Sequence, residues 1–237
     1  MCDEQHNLAI EMSSRSGSIA LGRGDELLAT ATLATRTRHN VELMATIDQV
    51  FRDHGAAPRD LGEVCVSIGP GSFTGLRIAV ATVKMLAFAL DVRVTVVPTL
   101  DVVAQNLPAD RDRVAVCLNA KREHQRMYCG VFRQQDDNWK ICFGPEILTA
   151  AQLVQRAGRP LAVLGAHLPD GDWPDDVEKL DPALAAPRAD AVWRLGRALS
   201  ARRQLADPWT LLPLYARRPD AEEVWQRKQR DIVDQHK

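Results

Sequence analysis

The sequence predicts an α/β protein made of two related halves. Both halves open with short apolar runs separated by polar turns, and both then alternate amphipathic helix with apolar strand. A polar, proline-bearing stretch, Asn106-Leu107-Pro108-Ala109-Asp110, divides them. The predicted units are residues 1–108 and 109–237.

In the first half, apolar runs at residues 8–10 and 18–21 flank a Ser/Gly turn, the pattern of a β-hairpin, and residues 26–33 extend it as a meander. A helix follows, with Asn40 as its expected N-cap and Leu43, Met44, Ile47, Val50 and Phe51 as its core-facing stripe. Gly55 suits the turn after its end. Val64, Val66 and Ile68 alternate as a strand and run into the Gly/Pro-rich residues 69–75. A helix over about 76–90 mixes bulky residues with small ones (Ala79, Ala81, Thr82, Ala87, Ala89), so it is expected to pack on more than one side. A strand at 94–97 and a short helix at 99–105 complete this half.

The second half begins with a strand at 114–118, a polar turn over 119–123, and strands at 127–132 and 139–143. Thr149 is expected to cap a helix through Gln155, ahead of a strand at 161–164. Residues 169–187, rich in Asp, Pro and Gly, read as a loop. Residues 191–202 read as a helix with Val192, Leu195 and Leu199 inward. The tail from Gln226 is expected to be frayed.

With 46% hydrophobic and 26% charged residues, the chain has the composition of an ordinary folded domain. A formal net charge of −1 lacks the basic excess of a dedicated RNA-gripping domain. Arg217, Arg218, Arg227, Lys228 and Arg230 are interleaved with Asp220, Glu222 and Glu223, the pattern of a solvated tail. Five cysteines form no C-x-x-C pair, and three (Cys65, Cys117, Cys129) lie in apolar runs. No apolar stretch reaches the roughly 20 residues of a membrane span, and the polar start at residues 1–6 lacks an apolar signal region. These features predict a cytoplasmic protein with no membrane partner.

The strand-to-helix turn at 69–75 is not a Walker A loop. Five residues separate Gly69 from Gly75, and Leu76-Arg77 stand where Lys-Ser/Thr is required. Gly71-Ser72-Phe73-Thr74-Gly75 also lacks the G-x-S-x-G spacing of a nucleophile elbow. The six histidines include no i, i+3 or i, i+4 pair, so the sequence predicts no catalytic residue and no metal site.

Residues 67–84 (SIGPGSFTGLRIAVATVK) closely resemble the signature of the TsaB/YeaZ family, the partner subunit in bacterial tRNA threonylcarbamoyladenosine biosynthesis. Residues 8–14 with 18–21 resemble its first hairpin, His39-Asn40-Val41-Glu42-Leu43-Met44 with Ile47 its first helix, and residues 212–217 its C-terminal motif. The resemblance implies an actin-like, Hsp70-like (ASKHA, ribonuclease H-like) fold of two similar mixed-sheet halves. It implies a non-catalytic scaffold that binds a TsaD-type transferase, with ATP and Mg²⁺ held at that partner. A TsaE-type ATPase, a second copy of the chain, and tRNA reached through the complex are the other implied partners.

The resemblance further implies a degenerate nucleotide site at Glu11, Ser13, Ser14 and Asn119. Glu11 and Asn119 stand where the family usually has Asp. A longer carboxylate and a neutral amide both fit Mg²⁺ poorly. The implied partner-binding residues lie on the first two helices: His39, Val41, Met44, Ala45, Gly75, Arg77, Ile78, Ala81, Thr82 and Met85. Core and interface share this composition, so at any single position both readings stand. The runner-up is an ATPase or small-molecule kinase of the actin-like superfamily; a third reading is a peptidase.

Overall fold

The computed structural model describes residues 5–33, 39–121, 125–136, 138–158, 161–169 and 173–215. Of residues 39–41 and 119–121 it describes the backbone alone. The expectation for the tail from Gln226 lies outside the described residues.

The first half is a five-stranded sheet in the order β3-β2-β1-β4-β5. Its strands are β1 (His6–Glu11), β2 (Ser18–Arg23), β3 (Glu26–Thr32), β4 (Leu61–Ser67) and β5 (Arg93–Val97). The first three form the predicted antiparallel meander, and β4 and β5 add in parallel. Parallel addition needs crossover helices, and α1 (His39–Asp53) and α2 (Phe73–Leu90) supply them. Leu43, Ile47, Val50 and Phe51 on α1 pack with Leu8, Ile10, Ile19 and Leu21. Met44 does not join them; it is 37% exposed, because it sits one residue past the inward stripe. The helix begins at His39, ahead of the expected Asn40 cap. A short helix, α3 (Thr99–Ala104), leaves this half.

The second half repeats the plan. Strands β6 (Arg113–Lys121), β7 (Arg126–Gln135), β8 (Asn138–Leu148), β9 (Leu161–Leu164) and β10 (Val177–Lys179) lie in the order β8-β7-β6-β9-β10. The same antiparallel and parallel pairings recur. Helix α4 (Ala150–Ala157) takes the place of α1, and α5 (Ala189–Ala201) follows the last strand as α3 does in the first half. The predicted polar turn at 119–123 is partly strand, since β6 runs to Lys121. The expected loop over 169–187 contains β10 and a 3-10 turn at Pro182–Ala185. Three strand residues, two of them exposed, leave too short a pattern to read against the surrounding Asp and Pro.

Thr149 caps α4 as predicted. Its hydroxyl accepts from the Gln152 amide at 3.3 Å, and the Gln152 side chain accepts from the Thr149 amide at 3.1 Å. Thr149→Ala is expected to cost about 1 kcal/mol, read as a lowered midpoint in urea denaturation.

The last helix of each half crosses to the other. Helix α3 packs on β6, β7 and β8, while α5 packs on β1, β2, β4 and β5. Alternation along the strands makes this possible. Leu8 and Ile10 point to the α1/α2 side, whereas Ala9, Ala20 and Cys65 point to α5. The small residues let α5 approach closely, with Gly196 directly over Cys65 and Trp193 over Gly22. Trp193 is buried and donates its indole N–H to Asn7 Oδ1. Arg197 of α5 reaches the buried Glu63 of β4 at 3.3 Å and Asp25 at 3.1 Å, tying the second half's helix to the first sheet.

Candidate functional site

Two features meet at the C-terminal ends of β1 and β4: a buried carboxyl and the glycine-rich turn into α2. Glu11, the last residue of β1, is fully buried. Its Oε1 accepts from the Ser13 amide and the Ser13 hydroxyl, each at 2.5 Å. Its Oε2 is buried without a hydrogen-bond partner among the described residues. Burial pushes the Glu11 carboxyl up from its ordinary value, and the hydroxyls of Ser13 and Ser67 with the Ser13 amide only partly oppose this. Ser67 also pairs with the Thr99 hydroxyl at 2.9 Å.

The turn over residues 69–75 sits directly on this end of the hairpin. The Ser72 amide donates to the Ser13 carbonyl at 2.6 Å. A side chain at Gly71 would collide with Ser13, and one at Gly75 with the Met12 carbonyl. Gly69 has φ +107°, a conformation open to glycine. Ser72 caps α2, its hydroxyl accepting from the Gly75 amide at 3.3 Å. Gly71 and Gly75 thus serve close approach, and the Ser72 amide is spent on the protein's own hairpin.

The proposed nucleotide residues are only partly brought together. Ser13 is buried on Glu11, whereas Ser14 faces outward and bonds the Ser16 carbonyl at 2.9 Å. Asn119 lies near the end of β6, the strand that matches β1 in the repeated plan, opposite Met127 of β7. Its side chain lies outside the described atoms.

The predicted partner-binding residues divide by helix face. Met44, Ala45, Arg77, Ala81 and Met85 are exposed, and Ile78 is half-buried. Gly75 and Thr82 are buried. The side chains of His39 and Val41 lie outside the described atoms. By length and composition α2 is apolar enough to cross a bilayer, yet it flanks a sheet with eight of its 18 residues buried. Much of its apolar character therefore lies on the surface, along Arg77, Ala81, Met85 and Phe88.

Four residues of this face were not predicted: Phe73, Phe88, Trp209 and Tyr215. The chain after α5 runs back along α2, stacking Tyr215 on Phe73 at 5.0 Å and setting Trp209 edge-on to Phe88 at 5.9 Å. The Arg77 guanidinium lies 3.8 Å over the Phe73 ring and donates to the Tyr215 hydroxyl at 3.1 Å. The apolar residues of 205–214, spaced among Pro and Asp with no period, carry no signal of helix or strand. Among the described residues no group of three or more His, Cys, Asp or Glu side chains is placed to hold a metal ion.

Comparison with known proteins agrees with this architecture. A family model described as TsaD, tRNA N6-adenosine threonylcarbamoyltransferase, matches residues 32–166. The tRNA threonylcarbamoyladenosine biosynthesis protein TsaB of Bacillus subtilis is 27% identical, with 94% of this chain and 99% of that protein covered. Two solved structures from Pseudomonas aeruginosa share the fold at 24% identity. YeaZ superposes with a TM-score of 0.72 over 89% of this chain and 99% of that one. A protein described as similar to the peptidase YeaZ gives 0.75 over 90% and 100%. The fold of two similar mixed-sheet halves implied by the sequence is thus the observed one, and the chain belongs to the TsaD family and, within it, to the TsaB/YeaZ group.

Proposed function

We propose that the chain is an interaction subunit that binds a TsaD-type threonylcarbamoyltransferase and supports N6-threonylcarbamoylation of adenosine in tRNA, contributing no reacting group of its own. The observation that carries this reading is the exposed apolar stripe of α2 beside Met44 and Ala45 of α1. Two adjacent helices with small and apolar outer positions supply half of a helix bundle. The names of the TsaB relatives point to the same process.

In this reading ATP and Mg²⁺ act at the partner, a TsaE-type ATPase joins the complex, and tRNA is reached through it in the cytoplasm. Self-association uses the same face in the partner's absence. The sealed environment of Glu11 counts against the ATPase or kinase reading. A Mg²⁺ ligand must be ionised and open to phosphate oxygens, whereas Glu11 is buried, turned onto Ser13 and biased toward its protonated form.

Size exclusion and calorimetry with a TsaD-type subunit test the proposal. A stable complex is expected. Met85 is 48% exposed, so Met85→Asp leaves the core intact and is expected to weaken binding by roughly tenfold, the loss of an apolar interface contact. Absence of a complex, with and without nucleotide, overturns the proposal.

A further inference from the structure

The segment after α5 is fixed along the length of α2. The Ala206 amide donates to the Val94 carbonyl at 2.8 Å, on the free edge of β5. Leu211 inserts into the core, and the Leu214 amide donates to the Ile68 carbonyl at 2.7 Å. Between these points the Lys84 ammonium donates to the Trp209 carbonyl at 3.3 Å, and just past them Arg77 holds Tyr215. Trp209 lies by Phe88 and Tyr215 by Phe73, so the segment runs antiparallel to the helix. The fifteen helical steps from Phe73 to Phe88 rise about 22 Å. The segment therefore forms a strap along most of the helix, from Phe88 to Phe73.

This strap does not cover the helix; it enlarges the apolar face. Phe88 is 76% exposed, Leu212 73% and Trp209 66%. Phe88 and Trp209 touch edge-on with most of their surface exposed among the described residues, and exposed apolar surface of that kind marks docking sites. The strap is already ordered by its hydrogen bonds, so binding there does not pay again for ordering it.

The face also has a charge. Helix α2 carries Arg77 and Lys84 and no acidic residue. Both cations donate to neutral acceptors, a tyrosine hydroxyl and a backbone carbonyl. The acid of the strap, Asp207, is turned onto the Trp209 amide and the Thr210 hydroxyl. A complementary surface is apolar with carboxylates at its rim. Ala81 at the middle of the exposed stripe leaves room for a helix to lie close.

We infer that residues 205–215 form a second wall of the α2 docking face, opposite α1, and that Trp209, Phe88 and Leu212 anchor there an apolar, acid-flanked helix of the TsaD-type partner. The inference rests on the proposed function and extends it from the two helices to the C-terminal strap.

Calorimetric titration of the full chain with a TsaD-type subunit tests it. Trp209→Ala and Leu212→Asp are each expected to weaken binding about 30-fold, near 2 kcal/mol at 1.4 kcal/mol per tenfold. Both side chains are exposed, so the fold persists, and unchanged urea denaturation verifies this. Ile141→Asp, an exposed apolar site on β8 of the other half, is expected to bind as wild type. If the strap variants bind as wild type while Met85→Asp does not, the partner lies on the helices alone and the inference fails with the function intact. If they alter only self-association, the occupant is a second copy and the inference fails. If the wild-type chain forms no complex, both readings fall.

Discussion

Gly75→Ala is expected to lower stability by about 1–3 kcal/mol, the range for forcing atoms into a packed site, and to weaken partner binding with it. The added methyl would lie well inside van der Waals contact with the Met12 carbonyl, a backbone atom. It cannot be relieved by a rotamer change. The start of α2 must lift from the hairpin, which stretches the bond from the Ser72 amide to the Ser13 carbonyl. It also disturbs the Phe73–Tyr215 stack at the first turn of α2. The loss should thus appear both as a reduced urea midpoint and as weaker binding of a TsaD-type subunit under conditions where the variant is folded. A variant as stable as wild type would show that the turn yields freely. Gly55→Ala is the informative contrast: a side chain there meets nothing within 4 Å, so it tests positive φ (+63°) alone, at a cost near 1 kcal/mol.

That contrast explains which parts of the molecule were legible in the sequence. Strands β1 to β9 announce themselves by short apolar runs, and α1 to α5 by helical spacing, each of them read from its own residues. The glycines of residues 69–75 signalled a special turn, but their reason, the nearness of Met12 and Ser13, lies across the sheet. The crossing of α5 was illegible for the same cause. Val192 is fully buried as expected, and Trp193, which was not expected inward, is buried beside it and bonds Asn7, 186 residues away. Leu195 and Leu199 are only half-buried. The proposed docking face was legible where exposed positions fall on α1 and α2. It was illegible at Trp209 and Leu212, where an aperiodic strap borrows its conformation from the helix and from the β5 edge.

The stability that Glu11 contributes should fall as pH rises from mildly acid to mildly alkaline, and Glu11→Gln should remove that component of the protein's pH profile. The folded protein holds the Glu11 proton more tightly than the unfolded chain does, because burial raises the carboxyl above its ordinary value of 4.5. No charged side chain is among the causes of that shift. The stabilising contribution is therefore complete below pH 4.5, where both states are protonated. It is lost as pH climbs through the folded value, where the native state must either keep a proton the unfolded chain has released or bury an anion. A glutamine keeps the acceptor for the Ser13 amide and hydroxyl and places a neutral amide where Oε2 has no partner. Leaving a buried polar group unmatched costs about 1–3 kcal/mol, more when it is charged. Glu11→Gln is thus expected to exceed wild type by about that much at pH 8 and to converge with it near pH 5, read from urea midpoints across the range. Parallel pH profiles for the two proteins would mean that Glu11 stays ionised in the fold. That result would also restore Glu11 as a candidate Mg²⁺ ligand and reopen the nucleotide-hydrolysing reading.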